Sequence, residues 1–390
     1  MTLKIWQLDP ANLTPYYNLA ICQALAQLDH DVRYVTSRYL YDQHIVISDD
    51  YAVDYVYFKG LNHQWLLRFP QLRRILRGIS YPFNYTIVLL MLQKKKPDIV
   101  HLQWSRLPFF DRFFIQRIKK LDIPIVHTVH NIKSSFATGH MIRRLGEVYS
   151  LVDRLILHTE SNRRDFLALY PHIAPEKTEV VPHLVTPYLH SIPDISSSDL
   201  KAQYGFNKED FVILFFGIIR QYKGLDTLLN AFENIVQQSH AQLLIAGRPE
   251  EKQDFLDIER ARQIKNVTVH DWFIPTEKLW QYFHVADIAV FPYREITQSG
   301  ALIQAMQFGK PVIVTDVGGL PESIDSNGWV IEKNNPAALQ QAILSAISKK
   351  NELVQKGRRS LEIIQENHDS RAVALRLIDI YQDCITEKDS

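Results

Sequence analysis

Short apolar segments rich in β-branched residues alternate with longer segments of helical periodicity, and this alternation occurs in two series. The first series predicts strands over residues 3–8, 32–36, 98–103, 123–130, 154–159 and 179–182. The second predicts strands over residues 211–216, 242–246, 267–270, 288–292 and 311–315. Strands that are apolar on both faces and separated by helices form a parallel sheet with helices on both sides. The pattern therefore predicts an α/β protein with two such domains.

Residues 186–198 separate the two series and contain Pro187, Pro193 and three consecutive serines, a composition that predicts a linker. We therefore expect an N-terminal domain over residues 1–186 and a C-terminal domain over residues 187–369. The last segment, 370–390, has helical periodicity and is expected to pack back on the N-terminal domain. Open parallel sheets bind ligands beyond the carboxyl ends of their strands, so we expect the functional residues there.

Composition excludes several classes of protein. A formal net charge of +1 and a hydrophobic content of 46% exclude a disordered chain and argue against a nucleic-acid partner. Two distant cysteines, Cys22 and Cys384, are too few for a disulfide framework. The longest apolar run, residues 87–92, is far shorter than the ~20 residues that span a bilayer. With no recognisable signal peptide, these features predict a cytoplasmic location.

The small net charge conceals an asymmetry. Residues 1–186 contain 23 basic and 16 acidic residues, a balance of +7, whereas residues 187–390 contain 21 and 27, a balance of −6. Between Asp54 and Asp98 there are eight basic residues and no acidic one, with apolar residues at helical spacing beside the arginines. A basic amphipathic helix is typical of a membrane-surface element, so residues 59–96 are predicted to meet an anionic membrane. An ordinary surface helix and an acceptor-phosphate site are the alternatives.

The loop after the first strand of the second series carries two cations. Gly217 permits a tight exit from the strand, and Arg220 and Lys223 follow before a predicted amphipathic helix. Arginine binds a phosphate bidentately and lysine adds a compact charge, so the loop is a candidate diphosphate clamp. Two solvated basic residues on a surface loop are the alternative.

The strand over residues 288–292 leads through a polar loop into another helix. Ser299, Gly300 and Ala301 would place backbone N–H groups at the helix N-terminus, which is a ready site for an anion. Gln304, one turn further, has an amide suited to a sugar hydroxyl. A plain strand–turn–helix with Ser299 as N-cap is equally consistent with this segment.

Taken together, Gly-x-x-Arg-x-x-Lys-Gly at residues 217–224 and Thr-Gln-Ser-Gly-Ala-Leu at 297–302 resemble the group 1 glycosyltransferases, the retaining family four. The segment Phe-Gly-Lys-Pro-Val-Ile-Val-Thr-Asp-Val-Gly-Gly-Leu-Pro-Glu at 308–322 resembles the family too. The resemblance implies the GT-B fold, two Rossmann-like domains facing each other across a cleft. It implies a retaining, metal-independent hexosyltransferase without a cofactor. Such an enzyme would move a sugar from a UDP- or GDP-linked donor to a saccharide or lipid-linked acceptor in glycan, polysaccharide or glycolipid synthesis.

The resemblance also implies roles for single residues of the C-terminal, nucleotide-sugar-binding domain. Arg220 and Lys223 would bind the donor diphosphate and stabilise the departing nucleoside diphosphate, and Glu295 would be a further catalytic residue. The other implied donor-binding residues are Gly217, Gly247, Arg248, Trp272, Phe273, Ile274, Thr297, Gln298, Ser299, Gly300, Ala301, Leu302 and Gln304.

One departure from the family pattern affects the donor site. The family has two glutamates separated by seven residues, the second just before Ala-Met, whereas this chain has Gln304 there and Ile296 at the first position, with Glu295 one residue earlier. Either Glu295 or the Thr297–Gln298 region replaces the first acid. The altered pair leaves a catalytically inactive sugar-nucleotide-binding partner protein as the alternative function, against which the intact Arg220 and Lys223 argue.

The N-terminal, acceptor-binding domain offers a weaker pattern. His130 ends the predicted strand 123–130 and resembles the family's strand-end histidine near the anomeric centre, where it would steady the leaving phosphate or orient the acceptor hydroxyl. Taken alone, the pattern favours a histidine that caps the strand end or is bonded to a local carbonyl. The first loop has prolines where the family is Gly-rich, and Trp104 ends a neighbouring strand together with His101 and Gln103. Acceptor contacts are predicted for Asn12, Tyr16, Asn18, Trp104 and His130.

Overall fold

The computed structural model describes residues 2–40, 47–132, 138–185 and 192–389. The chain divides into two compact units, one of residues Met1–Thr186 with Asp369–Ser390 and one of residues Pro187–His368. Of the linker predicted over residues 186–198, residues 186–191 lie outside the described part. Its end is not a linker, because a short helix begins at Ser197.

The first unit is built on a parallel sheet of seven strands in the order β3-β2-β1-β4-β5-β6-β7. The order reverses between β1 and β4, the kind of position at which α/β sheets bind ligands. Its elements up to the linker are β1 Lys4–Asp9, α1 Pro15–Ala26, β2 Asp31–Thr36, β3 Ala52–Tyr55, α2 Pro70–Lys95, β4 Ile99–Leu102, α3 Pro108–Lys119, β5 Ile125–Thr128, α4 Gly139–Leu151, β6 Arg154–Leu157, α5 Glu160–Leu169 and β7 Thr178–Val180.

The second unit repeats this plan with six parallel strands in the order β10-β9-β8-β11-β12-β13. Here the order reverses between β8 and β11, which again marks the expected ligand edge. Its elements are α6 Ser197–Gln203, β8 Phe211–Phe216, α7 Leu225–Ile235, β9 Ala241–Ala246, α8 Lys252–Ala261, β10 Val267–His270, α9 Leu279–Val285, β11 Ile288–Phe291, α10 Gly300–Gln307, β12 Val312–Thr315, β13 Gly328–Ile331, α11 Pro336–Ser348 and α12 Lys350–Asn367.

The final helix, α13 (Ser370–Asp389), belongs to the first unit. Leu377, Tyr381 and Cys384 are buried in a core shared with α1 on one face of the first sheet. Helices α2, α3, α4 and α5 supply the core on the other face. The sheet is therefore covered on both sides, which explains the nearly continuous apolar sequence of its central strands.

Two edge strands, β3 and β13, are absent from the sequence prediction. None of their residues is buried in the structure. Asp54 interrupts β3, and the apolar part of β13 is only three residues long, so neither forms a long apolar run in the sequence.

Helix α2 accounts for most of the basic stretch 59–96. It runs unbroken from Pro70 to Lys95, with Pro70 in the first turn, where its missing N–H has no helical partner to lose. By length and composition α2 could cross a membrane. Its apolar residues are interrupted by polar ones, so the longest apolar run did not predict this. Helix α2 nevertheless gives Tyr81, Tyr85 and Val88 to the core of the first unit, as a core helix does.

A buried carboxylate joins α2 to α3. Asp111 accepts hydrogen bonds from the hydroxyls of Tyr81, at 3.0 Å, and Tyr85, and from the backbone N–H of Leu107, at 3.0 Å. Burial nevertheless raises the pKa of Asp111 to about 6. The folded state thus binds this proton more tightly than the unfolded chain does.

The raised pKa makes the stability of the first unit depend on pH. The stabilisation from protonated Asp111 is present below about pH 4 and is lost as the pH rises through about 6. The side chain of Asp111→Asn cannot titrate. As the pH rises from 4 to 7, the unfolding free energy of the variant minus that of the natural chain should therefore increase, by up to about 3 kcal/mol. Denaturant unfolding at several pH values measures this gain. Asp165→Asn, at an exposed position of α5, should show none, and equal pH profiles for all three proteins would contradict the assignment.

Candidate functional site

At the switch point of the second sheet, the loops after β8 and β11 are bonded to each other. The backbone N–H of Arg294 donates to the carbonyl of Tyr222 at 2.7 Å, and the Arg294 guanidinium donates to the carbonyl of Gln221 at 3.2 Å. The same guanidinium pairs with Asp226 in the first turn of α7. The two loops predicted to hold the donor therefore form one structure.

Two glycines allow these loops to pack backbone against backbone. Gly224 has a φ of +68°, and a Cβ there would lie 2.1 Å from the carbonyl oxygen of Pro292, just beyond β11. Gly247, beyond β9, has a φ of +151°, and its Cβ would lie 2.0 Å from the carbonyl oxygen of Gly217. Because only glycine fits both the conformation and the space, the ends of β8, β9 and β11 are held at contact distance.

Lys223 is the most constrained charged group of this edge. The residue is only 8% exposed, and its Nζ lies 5.5 Å from the centre of the Tyr293 ring. Within the described residues, its ammonium has no hydrogen-bond or ion-pair partner. Burial, and then the nearby charge of Arg220, lower the pKa of Lys223 to about 8. A buried ammonium without a counter-ion is costly, so this site is suited to an anionic ligand.

The N-terminus of α10 meets Lys223 at Gly217. A Cβ on Gly217 would lie 3.0 Å from Lys223 Nζ and 3.7 Å from the Cβ of Ala301. Ser299 caps the helix by accepting the N–H of Leu302 at 3.2 Å, which confirms the N-cap reading of the sequence. The cap uses one N–H group, and other N–H groups of the first turn point outward. This helix N-terminus can therefore still bind an anion.

The neighbouring Gln298 and Gly300 complete this side of the site. The side-chain oxygen of Gln298 accepts the N–H of Ser299 at 3.1 Å, while its Nε2 is buried with no hydrogen-bond partner among the described residues. Gly300 is exposed and opens the helix. The loop thus leaves an unused amide donor one residue before the cap of α10.

Arg220 is placed differently from what a simple two-cation clamp requires. Its Nε donates to Glu250 at 2.7 Å and its Nη2 to the same carboxylate oxygen, and Arg248 donates to the other oxygen at 3.0 Å. Arg220 is close enough to lower the pKa of Lys223, yet its guanidinium is paired with an internal carboxylate. The sequence prediction missed Glu250, for which no motif gives a signal.

The other predicted donor-binding residues lie along the same edge at different depths. Glu295 is exposed, and Gln304 is partly buried on α10. The carbonyl of Thr297 accepts the N–H of Gly319 at 3.1 Å, so this loop is also joined to the loop after β12. Beyond β10, Trp272 is half exposed and stacks on His270, with ring centres 4.6 Å apart.

Of the two residues that follow Trp272, Phe273 is partly buried and Ile274 is 7% exposed. Ile274 is thus part of the apolar packing. Ile274 was predicted to bind the donor. That prediction is not tested, and the burial of the side chain does not favour it.

In the first unit, the predicted residues at the ends of β4 and β5 come together. Trp104 stacks on His130, with ring centres 4.8 Å apart and planes 19° apart, and its indole N–H donates to Thr14 at 3.2 Å. His130 lies two residues beyond the end of β5, so it belongs to a loop instead of the predicted strand 123–130. The loops after β1, β4 and β5 thus converge on these rings.

Both ring nitrogens of His130 have partners. Nε2 lies 3.0 Å from Oε1 of Gln103, and Nδ1 lies 3.4 Å from Nε2 of His158. Burial, reinforced by His158 and three other nearby histidines, lowers the pKa of His130 well below its usual value. His130 is therefore neutral near pH 7, and its orientation is fixed by two neighbouring side chains.

The hydrogen-bond network behind His130 reaches the last helix. Gln103 donates to Gln7 at 2.7 Å, and Gln7 donates to the hydroxyl of Tyr381 on α13 at 3.2 Å. The sequence prediction missed His158 and Tyr381. His158 directly follows the apolar strand β6, so the strand-end rule would have found it, whereas nothing local marks Tyr381.

Asn12 and Asn18, predicted to contact the acceptor, are buried and bonded within the first loop. Asn12 donates to the carbonyl of Ser37 at 2.8 Å and accepts from Tyr34 at 2.8 Å. Asn18 donates to Asp9 at 2.9 Å, a carboxylate that also accepts backbone N–H groups of the loop. In the structure these side chains hold the loop in place. Their predicted contacts to the acceptor are not tested, and their burial does not favour them.

Tyr16, the remaining predicted acceptor residue, is partly exposed, and its ring meets that of Tyr39 edge-on at 6.3 Å. Metal binding was not predicted. Among residues 2–40, 47–132, 138–185 and 192–389, no group of three or more His, Cys, Asp or Glu side chains is arranged to hold a metal ion.

Two family descriptions match adjoining parts of the chain. Residues 16–187 match "Glycosyltransferase Family 4" and residues 210–349 match "Glycosyl transferases group 1". A D-inositol 3-phosphate glycosyltransferase of Corynebacterium kroppenstedtii is 27% identical over 288 residues, 67% of this chain and 62% of that protein. An N-acetyl-alpha-D-glucosaminyl L-malate synthase of Bacillus anthracis is 20% identical over 93% of this chain and 92% of its own length. The alignment with the first relative thus spans about six tenths of that protein.

Solved structures share the fold over nearly the whole chain. A sucrose-phosphate synthase from Thermosynechococcus elongatus superposes with a TM-score of 0.76 at 17% identity, covering 98% of this chain and 99% of that one. HepE of Anabaena, in complex with UDP and glucose, gives 0.74 at 14% identity, covering 98% and 100%. At these identities the likeness concerns the fold.

The close packing at Gly224 predicts a substitution effect. Gly224→Ala combines left-handed strain of about 1 to 2 kcal/mol with a clash against the Pro292 backbone, so we expect a loss of unfolding free energy of about 3 kcal/mol or more. Gly205→Ala is the matched control, because Gly205 has a φ of +79° but no atom within 4 Å of its Cβ position. Denaturant unfolding compares them, and equal losses would show that the contact with Pro292 does not constrain the loop.

Proposed function

Because the chain belongs to the group 1 glycosyltransferases of family four and has the GT-B type of fold, we propose that it moves a sugar from a nucleoside-diphosphate donor to a saccharide or lipid-linked acceptor. The observation that carries the proposal is the buried ammonium of Lys223, which has no direct ion-pair partner among the described residues and lies beside the N-terminus of α10. Two positive features of different origin thus converge on one point.

A donor diphosphate would supply the missing negative charge. Lys223 would contact one phosphate, and backbone N–H groups around Gly300 and Ala301 would hold the other. As the bond to the sugar breaks, negative charge would grow on the leaving diphosphate, and fixed donors aimed at that charge would stabilise it. The second unit is acidic overall, with 18 basic and 22 acidic residues over 187–368, so donor binding would depend on this local arrangement.

Arg220 would join the site by exchanging its partner. A guanidinium fork fits a phosphate as well as it fits a carboxylate. The diphosphate would therefore compete with Glu250 for Arg220, while Arg248 keeps Glu250 paired. Glu295 and Gln304 would complete the contacts to the sugar and ribose hydroxyls, with the UDP- or GDP-linked nucleoside near Gly247 and Trp272.

We propose that transfer retains the configuration of the anomeric carbon and needs no metal ion, since Lys223 and Arg220 would supply the charge at the diphosphate. The resemblance to the retaining family supports this. The acceptor would meet the first unit near Trp104 and neutral His130, where an aromatic face suits a sugar ring. A lipid-linked acceptor would be accessible if residues 59–96 lie at an anionic surface on the cytoplasmic side, the location that we propose.

Lys223→Ala should weaken the binding of UDP or GDP on the order of a hundredfold, because the diphosphate loses its buried cation. An anion bound beside Lys223 raises the pKa of the ammonium above the value of about 8 in the free protein. Affinity of the natural protein should therefore fall about tenfold as the pH rises from 8 to 9.5, and that fall should vanish in the variant. Isothermal titration measures both effects.

Lys208→Ala is the matched control, because Lys208 is an exposed lysine of the same unit, and it should bind as the natural protein does. Affinity that is unchanged in Lys223→Ala would remove the diphosphate assignment. A pH-independent affinity in the natural protein would show that the lysine does not face the bound phosphates.

Turnover separates the transferase from an inactive binding partner. With a panel of UDP- and GDP-sugars and acceptor extracts, we expect release of nucleoside diphosphate with at least one donor, and loss of that release in Lys223→Ala. The anomeric proton coupling of the product, measured by NMR, should show retention. Nucleotide binding without release for any pair would favour the inactive partner protein.

A further inference from the structure

Helix α2 exposes an unusual number of large apolar side chains. Their exposed fractions are 46% for Leu72, 60% for Ile75, 62% for Ile79, 69% for Phe83, 49% for Ile87 and 62% for Leu90. We call these six residues the apolar stripe. Single exposed apolar residues are normal on a protein surface, but a row along a whole helix indicates an interaction surface.

The stripe lies opposite the side of α2 that packs on the sheet. Its members are three or four residues apart, so they share one face of the helix. Tyr81, Tyr85, Val88 and Leu92, which alternate with them in sequence, are buried in the core of the first unit. Helix α2 is therefore apolar on two opposite faces, of which only one is covered by the chain itself.

The next helix of the same layer extends the apolar surface. Helix α3 packs against α2 on the same side of the sheet, and it exposes Phe109 by 47% and Phe113 by 51%. On α3 these two phenylalanines lie on the side opposite the buried Phe114 and Ile115. The outward sides of two adjacent helices thus present apolar residues together.

The charged residues of α2 and of the residues that flank it are all basic. No acidic residue occurs between Asp54 and Asp98, and the one acid of α3, Asp111, is buried against Tyr81 and Tyr85. Arg68 and Arg74 near the start of α2, and Lys94 to Lys96 at its end, are exposed. Basic side chains therefore lie at both ends of the apolar stripe.

We propose that this face, the apolar stripe with Phe109 and Phe113, lies flat in the interface of an anionic bilayer. The stripe would enter the boundary between headgroups and acyl chains, and the flanking arginines and lysines would meet the phosphates. A spanning orientation is excluded by the opposite face of α2, which is part of the folded core. A second copy of the chain is a poorer occupant, since a two-fold contact would bring the same basic residues face to face.

The proposed membrane surface includes Phe109 and Phe113, which lie outside the stretch 59–96. None of its apolar residues belongs to the proposed donor site. Lipid binding and donor binding can therefore fail independently. If the bilayer contact is right and the proposed transferase function is wrong, the protein still binds vesicles.

The experiment is flotation of the whole chain with vesicles of phosphatidylcholine alone or mixed with phosphatidylglycerol, in low and high salt. We expect recovery with the anionic vesicles, reduced by salt. The double variant Ile79→Ser with Phe83→Ser should lower recovery at least tenfold, and Phe113→Ser should also lower it. Arg68→Glu with Arg74→Glu should abolish the preference for anionic lipid.

The matched control is Phe255→Ser with Val354→Ser in the second unit, where the two side chains are 51% and 70% exposed, and it should float as the natural chain does. Nucleotide affinity and thermal unfolding should be unchanged in the stripe variant, because its positions are exposed. Failure of the natural chain to bind anionic vesicles would overturn the proposal, as would equal binding by the stripe variant. A dimer in sedimentation that the stripe substitutions dissociate would assign the face to a second copy instead.

Discussion

The ammonium of Lys223 is withdrawn from water without a carboxylate beside it, and the surrounding loops of the second unit are built around that arrangement. Glycine at position 217 leaves room for the Nζ, and glycine at 224 lets the loop pass over the end of β11. The neighbouring Arg220 is paired with Glu250, so this carboxylate acts on the lysine from a distance and forms no direct ion pair with it. A charge that is costly to bury would become favourable beside the proposed diphosphate, which is how a preorganised site gains affinity for an anion.

The two units reach a ligand edge by the same topology but equip it differently. In the second unit the edge carries backbone N–H groups and cations suited to phosphate. In the first, the rings of Trp104 and His130 are backed by the amides of Gln103 and Gln7 and by Tyr381. These groups are neutral near pH 7, and they suit hydroxyl groups and the faces of sugar rings. The division agrees with a charged donor on one unit and a neutral acceptor group on the other.

Local patterns were sufficient to predict the central strands, the loop with Arg220 and Lys223, and the cap at Ser299, because each depends on a few consecutive residues. The edge strands β3 and β13 were not predicted, because Asp54 interrupts the first and the apolar part of the second is only three residues long. Partners that come from distant parts of the chain also escaped: Glu250 lies 30 residues from Arg220. The burial of Asn12 and Asn18 was equally invisible, since it follows from how the first loop closes on Asp9.

The position of α13 has a consequence for synthesis of the chain. Most of the first unit precedes the second in the chain, but one layer of its core, including Leu377 and Tyr381, is translated after the whole of the second unit. The second unit, by contrast, is continuous in sequence and needs nothing from that helix to complete its own core. During translation the second unit can therefore finish folding before the first one does. Tyr381 ends the hydrogen-bond network behind His130, so the residues proposed to meet the acceptor are fully supported only after α13 has been translated. A chain terminated before α13 would keep the loops around Lys223 and lack this support.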